Sequence, residues 1–222
     1  MPASYIAEAL RNETLDLGGV RFHLRWRELG KLVLPTGQIV ACDPIFVYEP
    51  DPFVQTVSSG CYPVSLRLAQ MEGTRHERVA FAMIQIQEEE SAGWKLARRS
   101  GQIDGSSEDA EQHRYGVDAG LGCFMDLAAA RAMEQRYAED DTFHDVIYEA
   151  VEDSYPGCAN LILEKDTGLN VAVFSTGIGD GAYASYWGCS SSGDAVCLLT
   201  DFDLFTQKTI AWLQKWCVDA GS

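Results

Sequence analysis

The chain has 222 residues, of which 46% are hydrophobic and 23% charged. That is the balance of a folded globular protein, and at this length folding buries roughly 70% of the unfolded surface, so a core needs no disulfide or metal to hold it. The formal net charge is −16, from 33 acids against 17 Lys and Arg; such a field repels nucleic acid and anionic membranes and favours a basic partner or metal cations.

The opening "MPASYIAEAL" has neither the basic n-region nor the long apolar h-region of a signal peptide. No apolar run reaches the length needed to span a bilayer. A cytoplasmic protein that binds neither membrane nor nucleic acid is expected. "SYIAEALRN" predicts a short helix with Ser4 as N-cap and Ile6, Ala9 and Leu10 on one face. "VRFHLRWREL" alternates as a strand does, and "KLVLPTGQIVACDPIFV" predicts two strands paired as a hairpin across the Pro-Thr-Gly turn. In "GCYPVSLRLAQMEGTRHERVAFAMIQIQEE" the alternation of Val64, Leu66 and Leu68, resumed by Val79 and Phe81, predicts the clearest hairpin, and "GWKLARR" predicts a further short strand.

"SGQIDGSSEDAEQHR" is polar and rich in Gly and Ser, the composition of a mobile loop. "LAAARAMEQRYAEDD" is the strongest helical pattern, with Asp126 as its N-cap, and "TFHDVIYEAVEDSY" is a second, capped by Thr142 and ended by Pro156-Gly157. "CANLILEKDTGLNVAVFSTG" turns at Asp166–Gly168 as a hairpin. Residues 182–188 and 195–200 are expected to pair as antiparallel strands through a turn at Ser190–Asp194, after a tight turn at Gly179–Gly181. Helical spacing at Ile210, Leu213 and Trp216 predicts a last helix, with Asp203 as its cap. The expected whole, residues 1–222, is a single α+β domain of mainly antiparallel sheet or sandwich with a few flanking helices.

Several segments, in order, carry a resemblance: "LPTGQIVACDPIFV", "PFVQTVSSGCYPVSLRLA", "RVAFAMIQI", "GWKLA", "YGVDAGLGCFMD" and "GDGAYASYWGCSSSGDAVCLLTDF". Over residues of about 29–203 the chain resembles the bacterial family catalogued as domain of unknown function 4241. It departs from the family pattern at Ser59, where a Pro is expected, and at Cys189, where an Asp often follows the Gly. The resemblance implies a bacterial cytoplasmic protein. By size and acidity its members resemble the immunity proteins that accompany bacterial toxins.

The chemistry-bearing candidates are carboxylates beside glycines or at strand ends: Asp43, Asp118, Asp126, Asp180 and Asp201, with Asp203. Carboxylates so placed can gather a hard cation, and they equally cap helices and brace turns. "GIGDG" lacks the Lys-Ser/Thr of a phosphate-binding P-loop and is followed by a strand, not a helix, so its glycines are read as turn residues and no cofactor is expected. A nucleophilic set of Cys123, His144 and an Asp is the alternative chemistry. The seven cysteines show no CxxC pair and most sit beside apolar or small residues, which reads as buried reduced thiols. Tyr183, Tyr186 and Trp187 offer large rigid area with polar tips, one face of their strand in the core and the other exposed for a partner. The expected function is a non-enzymatic binding protein, an acidic immunity-like inhibitor of a basic toxin or enzyme, with a cation-dependent hydrolase using the Gly-adjacent aspartates as the alternative. A further expectation places Asp180 and Tyr183 at a solvent-open cleft shared with Asp118.

Overall fold

The computed structural model describes residues 5–100 and 113–220, with side chains of the last helix described to Lys215. Ser4 and residues 101–112 of the polar Gly/Ser-rich segment lie outside the described residues. In chain order the elements are α1 (Tyr5–Arg11), β1 (Thr14–Leu17), β2 (Val20–Leu34), β3 (Ile39–Cys42), β4 (Gly60–Met71), β5 (Glu77–Gln85), β6 (Gly93–Leu96), β7 (Tyr115–Val117), β8 (Leu121–Asp126), α2 (Leu127–Glu139), α3 (Phe143–Glu152), β9 (Cys158–Ile162), β10 (Asn170–Ser175), β11 (Gly181–Cys189), β12 (Ala195–Asp201) and α4 (Gln207–Ala220).

Eight strands form one antiparallel sheet, ordered β1-β2-β4-β5-β12-β11-β6, with β7 sharing the β6 edge of β11. Four form a second antiparallel sheet, ordered β3-β8-β10-β9. This is the expected α+β class, and the side chains stack it in four layers. Leu66, Ile84 and Leu198 of the large sheet meet Phe124, Ala172 and Phe174 of the small one in the central core. The far face of the small sheet, through Cys123, Met125, Val171 and Val173, is covered by α2 and α3. The far face of the large sheet, through Phe22, Phe81 and Leu199, is covered by α1 and by Leu204, Phe205, Ile210 and Leu213 at and inside the start of α4. Strands β8 and β10 are therefore apolar on both faces, and their sequences run "LGCFMD" and "NVAVFS" without polar alternation.

Burial along β2 alternates at its two ends and lapses between Arg25 and Lys31, and the two ends serve different layers. Phe22 and Leu24 point to the outer layer, whereas Leu32 and Leu34 point between the sheets. The cause is a bulge between Glu28 and Gly30, where one extra residue reverses the faces. Gly30 sits there at φ 101°, and a Cβ would lie 2.9 Å from the Asn160 amide nitrogen. That amide donates to the carbonyls of Leu29 and Lys31 at 3.3 and 3.0 Å, while Asn170 donates to Lys31 and accepts from the Val33 N–H, both at 2.8 Å. Two asparagines of the small sheet thus satisfy the edge of β2 that no strand covers.

The hairpins β4–β5, β9–β10 and β11–β12 form as expected, and the last turns at Ser190–Asp194 with Gly193 at φ 94°. Asp126 caps α2, accepting from the Ala128 N–H at 2.8 Å.

Four expectations are corrected. Pro35–Gly37 does not close a hairpin: it carries the chain from one sheet to the other, because β3 pairs with β8. Thr142 makes no side-chain cap for α3; its N–H and hydroxyl donate instead to Asp140, which occupies them at 2.9 and 2.7 Å. The tight turn before β11 is Thr176–Gly179, closed by the Gly179 N–H on the Thr176 carbonyl at 2.6 Å, and Gly181 already belongs to the strand. Asp203 does not cap α4; Thr206 does, its hydroxyl accepting from the Thr209 N–H, while Asp203 stands at φ 54° and pairs with Arg114.

Candidate functional site

Asp43 and Asp126 both lie beside the places where the chain passes between sheets. Asp43, just after β3, accepts from the backbone N–H groups of Ile45 at 2.8 Å and of Asp118 and Ala119 at 2.9 Å. The last two belong to the link from β7 to β8, which also changes sheet. Asp126 ends β8, is wholly buried, and takes the Thr36 N–H and hydroxyl of the first crossing. Each carboxylate braces the other link.

Asp118 and Asp180 are exposed and lie on abutting loops. The Thr176 N–H donates to the Gly120 carbonyl at 3.1 Å, and a Cβ on Gly120 would lie 3.9 Å from the Asp180 carboxylate. No backbone N–H among the described residues reaches the Asp180 carboxylate. Tyr183 does not border an open cleft: it is buried, its hydroxyl donating to the Gly179 carbonyl at 2.6 Å. Two of the "GIGDG" amides are spent within the protein, Gly177 on Val79 and Gly179 on Thr176. Nor does β11 expose a face. Trp187 and Tyr183 sit in the central core and Tyr186 packs into the outer one, because both faces of the large sheet are covered at this strand.

Asp201 is the most perturbed carboxyl. It ends β12 at 4% exposure and accepts from the Tyr5 hydroxyl at 2.8 Å and the Asp203 N–H at 2.9 Å. Burial, then the neighbouring Asp203 charge, pushes it up to about 7 against those hydrogen bonds and Arg114. In turn burial, then Asp201, raises the Tyr5 phenol, and Tyr186 is pushed up to about 12 by the same two causes. The cluster anchors α1 to the sheet, helped by buried Arg67, which donates to the Ala9 carbonyl at 2.8 Å and to Asn12. Sequence reading found Asp201 but not Tyr5 or Arg114, which lie far from it along the chain; the one local signal is the Asp201-Phe202-Asp203 alternation at the end of a buried strand.

Cys123 is buried with its sulfur 3.7 Å from that of Cys42, and its thiol donates to the Cys42 carbonyl. Burial, then Cys42, pushes this thiol well up, the opposite of an activated nucleophile. His144 lies on α3 beside Asp145 at 3.3 Å. In the native protein, iodoacetamide should modify exposed Cys61 first and leave Cys123, Cys158, Cys189 and Cys197 intact, as read by peptide mass spectrometry. Rapid alkylation of Cys123 would restore it as a nucleophile.

The outer layer of α2 and α3 is rich in acids. Residues 127–153 hold eight carboxylates, from Glu134 to Asp153, against Arg131 and Arg136. The loop after β3 leans on α2 through the Glu49 N–H to Glu134 and the Tyr137 hydroxyl to the Pro44 carbonyl, both at 2.8 Å. That loop exposes Phe46 (50%) and Tyr48 (73%), and α3 exposes Val146 and Tyr148. No helix among the described residues is long and apolar enough to cross a membrane.

No curated protein and no solved structure gives a significant match to the chain. A family model described as "Protein of unknown function (DUF4241)" matches residues 32–200. The match runs from the second half of β2 into β12 and takes in the whole small sheet and the links β2–β3 and β7–β8. With most of its length matched, the chain belongs to the DUF4241 family.

Proposed function

We propose that the protein is a non-enzymatic binding protein, an acidic immunity-like inhibitor of a basic toxin or enzyme, acting in the bacterial cytoplasm. The observation that carries this reading is the α2–α3 face: a dense run of carboxylates beside exposed Phe46, Tyr48 and Tyr148. Acidic charge steers a basic partner, and exposed aromatic rings supply the contact area that holds it. The carboxylates singled out as candidate cation ligands favour this reading too, since Asp43, Asp126 and Asp201 hold hydrogen bonds of the fold.

The test pairs the protein with the basic product of a neighbouring gene and follows association by stopped-flow at low and high salt. Charge reversal at Asp145, Glu149 and Glu152 should slow association by about tenfold or more at low salt and abolish most of the salt dependence. No binding to any such neighbour, or identical kinetics in the charge-reversed variant, overturns the reading. The alternative, a cation-dependent hydrolase, rests on Asp118 and Asp180, exposed on abutting loops. It replaces the first if Ca²⁺ or Mg²⁺ raises the melting temperature of the wild type but not of the D118N/D180N variant.

A further inference from the structure

Strands β3 and β8 set Cys42 directly opposite Cys123. Side chains opposite each other in an antiparallel ladder leave the sheet on the same face, and here that face is the one covered by α2 and α3. The two sulfurs stand 3.7 Å apart. Of the six cysteines whose side chains are described, these two alone meet across a ladder. Cys61 faces Val33, Cys158 faces Phe174, Cys189 faces Ala195 and Gly93, and Cys197 faces Gly188 and Gln85.

The arrangement is close to that of a disulfide. Antiparallel partners have Cα atoms about 4.5–5.5 Å apart, inside the range of about 4.4–6.8 Å that a disulfide bridges. An S–S bond is about 2.05 Å long, so about 1.7 Å remains to be closed, shared by small rotations of two side chains. The two thiols differ in access. Cys123 is 0% exposed, whereas Cys42 is partly exposed and lines a cavity of about 120 Å³ with Phe46, Tyr48 and Asp51 of the loop that follows β3. That volume admits several water-sized molecules. Burial pushes the Cys123 thiol well up, so Cys42 is the sulfur that meets an oxidant first and Cys123 the one that answers it.

We propose that Cys42 and Cys123 form a reversible oxidation site, which a small hydroperoxide converts to a disulfide across β3 and β8. The Cys42 thiolate attacks a peroxide oxygen: the S–O bond forms, the O–O bond breaks, and the leaving hydroxide takes up the proton that Cys42 released. Cys42 is then a sulfenic acid, oxidised by two electrons. The Cys123 sulfur attacks it, the S–S bond forms, the S–O bond breaks, and the Cys123 proton departs with the hydroxyl as water. With hydrogen peroxide the sum is two thiols and one peroxide giving one disulfide and two waters. An added thiol reverses the step by exchange. The crosslink closes the long stretch of chain from Cys42 to Cys123 and so restrains the unfolded state. The proposal uses no residue of 127–153 and needs no binding partner, so it stands apart from the acidic-face reading.

The test exposes the purified protein to equimolar hydrogen peroxide, blocks the remaining thiols with N-ethylmaleimide and maps unreduced peptides by mass spectrometry. Joined Cys42 and Cys123 peptides should be the main oxidised product, and dithiothreitol should return both thiols. The oxidised protein should melt several degrees higher than the reduced one. Cys42→Ser should cut oxidation of Cys123 by about tenfold or more, because the buried thiol then lacks a reactive neighbour. Cys123→Ala should raise dimedone-trapped sulfenic acid at Cys42 by about tenfold, because nothing resolves it. Cys61→Ser should leave the crosslink unchanged. Wild-type protein that accumulates sulfenic or sulfinic acid at Cys42 with Cys123 still reduced, or that joins Cys42 to Cys123 no more often than to other cysteines, overturns the proposal.

Discussion

Asp201→Asn is expected to raise the melting temperature at pH 8 and to leave it nearly unchanged at pH 4. The native carboxyl titrates at about 7 because burial and then Asp203 disfavour its charge, whereas the same group in the unfolded chain titrates near 3.8. Between these values the native state holds a proton that the unfolded state has released, so stability falls as pH rises from about 4 to about 7 and is level above that. The gap of roughly three pH units corresponds to about 4 kcal/mol, at about 1.4 kcal/mol per unit. Asparagine keeps one acceptor oxygen for the Asp203 N–H, and its amide nitrogen can donate to the Tyr5 hydroxyl oxygen, both without the charge, so it should recover much of that cost above pH 7. In a chain of this length the gain is worth about 10 °C. Melting curves of both proteins from pH 4 to 8 decide it: a constant difference across the range would show that the carboxylate is buried without penalty.

Gly37→Ala should be the most damaging single-methyl change in the described structure. Gly37 lies in the first crossing at φ 70°, and a Cβ there would stand 2.0 Å from the Val57 carbonyl oxygen. That oxygen belongs to backbone, so no side chain can swing away, and the Val57 N–H bond to the Gly37 carbonyl at 2.9 Å has to break as the strands separate. Left-handed backbone alone costs a non-glycine residue about 1–2 kcal/mol, and the displaced contact brings the total to about 3 kcal/mol or more by urea unfolding. Gly73 provides the control. It has φ 82° with nothing within 4 Å of a Cβ, so Gly73→Ala should cost only the backbone part, about 1 kcal/mol. Equal losses at the two positions would mean that Val57 yields freely.

What the sequence made legible was local. The hairpins β4–β5, β9–β10 and β11–β12 could be read because their strands are neighbours in the chain and Gly73, Gly168 and Gly193 mark the turns. The partition into two sheets could not. "YGVDAGLGCFMD" reads as one apolar segment, but its first three residues pair with β11 and its last six with β3 and β10. Turn residues announce that the chain bends, not which strand it meets next. The candidate carboxylates were visible for the same local reason, as acids beside glycines and strand ends. Their employment was not, because the partners are remote: Asp43 on the amides of Asp118 and Ala119, Asp201 on Tyr5 near the other end of the chain.

The chain changes sheet four times, and two of those links, β2–β3 and β7–β8, carry a consequence for how the molecule comes apart. Asp126 ends β8, reached through the β7–β8 link, and holds Thr36 of the β2–β3 link; Asp43 follows β3, reached through the β2–β3 link, and holds the amides of the β7–β8 link. The lashing is reciprocal, so loosening either link removes the support of the other. Peeling the small sheet from the large one therefore offers no cheap halfway state. The amides of β10 and β12, in different sheets, are expected to open together in a single cooperative event, with protection in hydrogen exchange set by the same free energy.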